Sequence, residues 1–125
     1  MKINIKRAYE PPARGDGLRV LVDRLWPRGK GRDDLKIDLW MKGIAPSERL
    51  RKWFSHDPER WEEFMDHYIE ELEGNAEEVG RLLNETRKRT VTLVYSAKDE
   101  QRNNAAVLKG YLEREKDRMT TGKAA

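Results

Sequence analysis

The chain has 125 residues, of which 37% are hydrophobic and 39% charged, and carries a formal net charge of +3 with no cysteine. That length suits one core, since single domains typically hold about 100–150 residues. The absence of Cys excludes disulfides, thiolate metal sites and cysteine nucleophiles, and no run approaches the ~18 consecutive apolar residues of a membrane span.

Ile3 and Ile5 alternate with Asn4 and Lys6, the pattern of a short first strand. This opening lacks the apolar stretch of a secretory leader, so a cytoplasmic location is expected. Pro11, Pro12, Gly15 and Gly17 mark a loop. Arg19 to Asp23 predicts a second strand, and its continuous Val20, Leu21 and Val22 suit burial on both faces. The phrase Trp26-Pro27-Arg28-Gly29-Lys30-Gly31 cannot extend that strand, because proline lacks an amide donor and glycine favours loop geometry. The Trp26–Pro27 amide is of the kind at which cis is cheap, about 0.5–1 kcal/mol, and a cis bond would aim Arg28 inward; trans is the commoner state, and the sequence does not decide between them. From Leu35 to Met41, Ile37, Leu39 and Met41 alternate with Lys36, Asp38 and Trp40, as in a short edge strand.

Helical spacing follows. Ser47 is placed to cap a helix bearing Leu50, Trp53 and Phe54, which His56-Asp57-Pro58 ends. Trp61, Phe64, Met65, Tyr68, Ile69 and Leu72 form the apolar stripe of a second helix closed by Gly74. Val79, Leu82 and Leu83 share a face of a third helix over Ala76 to Lys88. Thr90 to Tyr95 reads as a second buried strand, and Ala105, Leu108, Tyr111 and Leu112 give a final amphipathic helix. The chain therefore predicts one α/β domain over residues 1–116, three-layer-like, with a mixed or mostly parallel sheet flanked by helices, and a flexible tail over 117–125. The pattern does not specify strand order.

Three phrases together resemble the YeaO-like family of small bacterial and archaeal proteins of unknown function: Asp23-Arg24-Leu25-Trp26-Pro27-Arg28-Gly29, then Pro46-Ser47 with Leu50-Arg51-Lys52-Trp53-Phe54, and Tyr95-Ser96-Ala97-Lys98-Asp99 with Asn103-Asn104-Ala105. The resemblance runs from about Ile3 to Leu112 and implies a small α/β protein, with no established reaction. More distant relatives bear a Cys-containing phrase near the end of the late strand, where this chain has Tyr95, Ser96 and Lys98, so thiol chemistry does not carry over.

Buried strands of α/β folds present ligands at their carboxyl ends. Arg24 and Arg28 follow one such strand, and Ser96, Lys98 and Asp99 follow the other. Convergence of these ends predicts a site for an anionic or phosphorylated small molecule, bound by Arg24, Arg28 and Lys98, since guanidinium forks match carboxylate and phosphate oxygens. Asp23 and Asp99 are the candidate orienting or acid/base groups. Trp26, Ser96, Asn103 and Asn104 are further candidate ligand-binding residues. The bland reading is that Asp99 caps a helix and Trp26 joins the core.

A competing reading is a nucleic-acid module. Residues 1–32 hold nine Lys or Arg against three Asp or Glu, and Lys2, Lys6, Arg7, Arg14, Arg19, Arg28, Lys30 and Arg32 are its candidates, with Trp26 as stacking platform. A third reading is a protein-interaction domain that docks a partner on a helical face. Residues 57–85, with eleven Asp or Glu against two Arg, are acidic. Within them Glu63, Asp66 and His67 share neighbouring positions, but an acidic helix face is normally just solvated, so no metal or other cofactor is expected. No phosphate-loop, dinucleotide-binding, esterase or zincin motif occurs.

Overall fold

Strands with apolar residues on both faces need cover on both faces. A computed structural model describes residues 2–124, with side chains as far as residue 118, and places both apolar runs in the interior of a four-stranded sheet. The strands are β1 (Ile3–Arg7), β2 (Leu18–Leu21), β3 (Leu39–Trp40) and β4 (Val91–Tyr95), all parallel in the order β1-β4-β2-β3. Register places Ile3 and Leu18 on either side of Val91, and Ile5 and Val20 on either side of Leu93.

The helices are α1 (Arg32–Leu35), α2 (Glu48–Phe54), α3 (Trp61–Glu73), α4 (Ala76–Lys88) and α5 (Asn104–Ala124). Alternation along the strands assigns their side chains to two cores. Val20, Val22, Val91, Leu93 and Tyr95 meet residues of α2, α3, α4 and α5, including Phe64, Tyr68, Leu82, Leu108 and Leu112. Leu21 and Val94 face the other way, into a smaller cluster with Ala8, Leu35, Trp26, Ile37 and Trp40. The second face is thus covered by a single-turn helix and its flanking loops.

The sequence reading differs from the structure at two strands and at the tail. The regular pairing of β2 ends at Leu21 rather than Asp23; Val22 still donates its N–H to Val94 O at 3.1 Å, but the Asp23 carboxylate turns to other partners. The expected strand from Leu35 to Met41 shrinks to Leu39–Trp40. Its first residue belongs to α1, where the Gly31 N–H donates to Asp34 Oδ2 at 2.9 Å, and Lys36 at φ 49° ends the turn. Local side chain to backbone bonds of this kind compete with strand pairing. The backbone of α5 continues helically through the expected tail segment 117–125 as far as Ala124; Ala125 lies outside the described residues. No peptide bond among the described residues is cis, so Trp26–Pro27 is trans.

At the amino ends of the strands a buried ionic cluster closes the smaller face. Arg19, 4% exposed, donates from Nη1 to Asp16 Oδ2 at 2.7 Å and from Nε to Leu35 O at 2.9 Å. Lys6 donates to Asp16 Oδ1 at 3.0 Å, and Thr92 donates to the Asp16 carbonyl at 2.7 Å. Burial alone would raise the Asp16 pKa. The Ala13 N–H and the Lys6 and Arg19 donors outweigh it and hold the acid below its ordinary value.

Candidate functional site

All four strands run the same way, so their carboxyl ends meet on one side of the sheet, and the loops that leave them form a single cleft. Its volume is about 310 Å³. Tyr9 comes from the loop after β1, residues 23–28 from that after β2, Ala45 and Pro46 from that after β3, and Ser96, Ala97, Arg102 and Asn103 from that after β4, with Asn104 opening α5. Arg51 and Phe54 of α2, His56 beyond it and Phe64 of α3 complete the wall.

Asp23 is the fixed point of this cleft. Its Oδ2 accepts the Ser96 N–H at 2.9 Å, its Oδ1 accepts from Asn104 Nδ2 at 3.1 Å, and its carbonyl accepts from Trp40 Nε1 at 2.8 Å. Asn104 Nδ2 also donates to Val22 O at 3.0 Å, so one amide ties the end of β2 to the start of α5. The carboxyl is largely surrounded by protein, although an edge reaches the cleft. Burial raises its pKa above the ordinary carboxylate value, against the lowering effect of Asn104, Ser96 and the Arg51 charge. The buried Ser96 Oγ lies close enough to influence this acid but makes no well-formed hydrogen bond.

Four arginines line the same cleft, Arg24, Arg28, Arg51 and Arg102. Arg28, Arg51 and Arg102 are solvent-exposed at the mouth, whereas Arg24 is half-buried and its Nε donates to Pro46 O at 3.5 Å. Among the described residues Arg24, Arg28 and Arg51 have no carboxylate in ion-pair contact, while Arg102 pairs with Asp99 at 3.5 Å. The placement of α2 controls Arg51. Ser47 caps that helix by accepting the Leu50 N–H at 3.1 Å, and Glu71 of α3 in turn accepts both the Ser47 N–H at 2.8 Å and its hydroxyl at 2.6 Å.

The expected residues divide. Asp23, Arg24, Trp26, Arg28, Ser96, Asn103 and Asn104 come together in the cleft. Lys98 and Asp99 do not: the chain turns outward after Ala97, leaving Lys98 exposed. Asp99 builds that turn by accepting the N–H groups of Gln101 and Arg102, both at 2.9 Å, and these bonds lower its pKa. Asn103 caps α5, its Oδ1 accepting the Ala106 N–H at 2.8 Å. Trp26 packs edge-on to Trp40 at 5.4 Å and donates to Lys30 O at 2.6 Å, so it joins the core as well as the cleft wall. Arg51, Arg102, Tyr9 and His56 were missed. The available signal for Arg51 was its spacing three residues before Phe54, which puts both on one helix face. His56, in the phrase that ends α2, adopts a left-handed conformation at φ 56° and lines the cleft.

The basic N-terminal residues do not form one free surface, because Arg19 is buried and Lys6 is tied to Asp16. His67 packs edge-on against Trp53 at 6.1 Å. No group of three or more His, Asp or Glu among the described residues is arranged to hold a metal ion.

A family model described as the inactive DUF488-N3 subclade matches residues 2–125. The chain belongs to this family. Among relatives of this DUF488-N3 member, the uncharacterized protein YeaO of Escherichia coli is 44% identical over 112 residues, covering 90% of this chain and 97% of its own. An uncharacterized protein of Mycobacterium tuberculosis is 42% identical over 107 residues, covering 86% of this chain and 90% of its own. No solved structure matches the chain. No helix among the described residues is long and apolar enough to cross a membrane.

Proposed function

We propose that this protein binds a small anionic molecule, a phosphate ester or a carboxylate, in the cleft at the strand ends, and does so without turning it over. The observation that supports binding is the gathering of Arg24, Arg28, Arg51 and Arg102 around one cleft whose lining holds a single carboxylate, that of Asp23. The planar donors of arginine fit carboxylate and phosphate oxygens two at a time. Binding without turnover rests on the family description, which carries the word inactive; the lack of cysteine removes thiol chemistry alone. In this reading Asp23 orients the ligand and the loops.

Sulfate tests the reading by thermal unfolding against chloride of matched ionic strength, since a ligand selective for the folded state stabilises it by mass action. Sulfate also stabilises proteins generally, so the informative quantity is the increment in wild type relative to variants. Arg28→Ala and Arg28→Lys are both expected to lose the sulfate-specific increment, because lysine keeps the charge but not the fork. Equal increments in all three proteins would sink the proposal. If lysine substitutes fully and binding of nucleic acid falls steeply with salt, the basic-surface reading replaces it.

A further inference from the structure

We propose that the anion taken by this cleft carries a heteroaromatic ring and has the size of one nucleoside monophosphate; the inference rests on the anion-binding reading of the same site. The first observation is apolar. Tyr9 and Leu25, 40% and 61% exposed, are the large hydrophobic side chains left in solvent among the described residues, and both line this cleft. A single exposed apolar side chain needs no explanation, but two that line one cavity mark a surface awaiting cover. Trp26, Phe54 and Phe64 continue that surface inward. The rim is also ordered in advance: the Tyr9 hydroxyl donates to Arg28 O at 3.0 Å, and its ring lies 5.2 Å from the Arg7 guanidinium. Groups fixed before binding lose less entropy on binding.

The second observation is polar and lies deeper. Each Asp23 oxygen accepts one protein hydrogen bond, which leaves acceptor capacity on the carboxylate, and the neighbouring Ser96 hydroxyl is buried without a well-formed bond. A phosphate placed there would meet the Asp23 charge. The anionic group therefore belongs with the exposed arginines at the mouth, and the part facing Asp23 and Ser96 must be neutral and must both donate and accept hydrogen bonds. The edge of a nucleobase, where a ring nitrogen or carbonyl adjoins an N–H group, has that pattern. Size supplies the limit. A volume of about 310 Å³ is at the small end of ligand pockets, enough for one nucleotide and too little for a dinucleotide.

Calorimetric titration of the full chain at constant ionic strength tests this with the four common ribonucleoside 5′-monophosphates, ribose 5-phosphate and the matching nucleosides. At least one monophosphate is expected to bind about tenfold or more tightly than ribose 5-phosphate and than its own nucleoside, a difference of roughly 1.4 kcal/mol for each tenfold step. Ser96→Ala and Leu25→Ser should narrow that ratio severalfold. Leu25 is exposed, so its variant remains informative should a change beside Asp23 disturb folding. Four monophosphates indistinguishable from ribose 5-phosphate would overturn ring recognition while the anion reading stands. Failure of every phosphate probe would overturn the inference, and joined to equal sulfate increments in wild type and the Arg28 variants it would remove the anion reading as well. A single-stranded oligonucleotide that binds more tightly than every monophosphate, with affinity collapsing as salt rises, would overturn the inference in favour of an extended nucleic-acid surface.

Discussion

Asp23 combines three roles that a single carboxyl rarely carries: it anchors the start of α5 through Asn104, fixes the loop after β4 through the Ser96 N–H, and leaves an edge to the cleft. Its raised pKa has a definite thermodynamic sign. The folded state holds this proton more tightly than the unfolded chain, so unfolding releases it across the interval between the unfolded value of about 3.9 and the higher folded value. Stability from this group is greatest below that interval and is lost as pH rises through it. Asp16 and Asp99 act in the opposite sense, since their lowered values make stability rise with pH in the acid range. Comparison with Asp23→Asn separates the contributions. In urea unfolding from pH 3 to 7, the stability of wild type minus that of the variant is expected to fall as pH rises above about 4 and then level off. A difference that grows with pH would show that Asp23 is stabilised as a carboxylate, and burial would not be its dominant influence.

At the scale of elements, the entry into β2 shows how one backbone position sets a strand register. Gly17 has φ 64° and ψ −135°, a conformation open to glycine and poorly tolerated by residues with a Cβ. A Cβ there would also run into the carbonyl of Thr90, the group that accepts the Leu18 N–H at 2.9 Å and starts the pairing of β2 with β4. Strain and clash act together, so Gly17→Ala is expected to destabilise the protein by about 3 kcal/mol in chemical denaturation. Gly15→Ala is the control: it lies two residues earlier with open space around its Cβ position, and should stay within about 0.5 kcal/mol of wild type. Equal effects at the two positions would mean that the approach of Gly17 to β4 does not constrain the sheet.

Over the whole molecule, the lining of the cleft brings together four arginines and one carboxylate, a local excess of positive charge that attracts an anion and that salt screens over about 8–10 Å. Burial in α5 is concentrated in Ala105, Val107, Leu108, Tyr111 and Leu112, and residues 113–118 are exposed or half-buried. Removal of residues 120–125 is expected to leave the thermal midpoint essentially unchanged. A drop of several degrees would show that this segment packs on the domain or on a partner.

The amino-acid sequence by itself determined the elements whose periodicity is strong: the apolar runs that became β2 and β4, the stripe of α3, the Ser47 cap of α2 and the limits of α4. These depend on neighbours a few residues apart, which any chain displays directly. It also located Arg24 and Arg28, because a Pro- and Gly-bearing loop must follow a buried strand. Only the tertiary structure decided that Arg51 and Arg102 join them while Lys98 turns away, and that β4 lies between β1 and β2. The composition of a cleft depends on which strand ends become neighbours and on how each loop turns on leaving the sheet. Both follow from packing between residues far apart in the chain, such as Asn104 reaching back to Val22 and Asp23, and no local pattern carries that information.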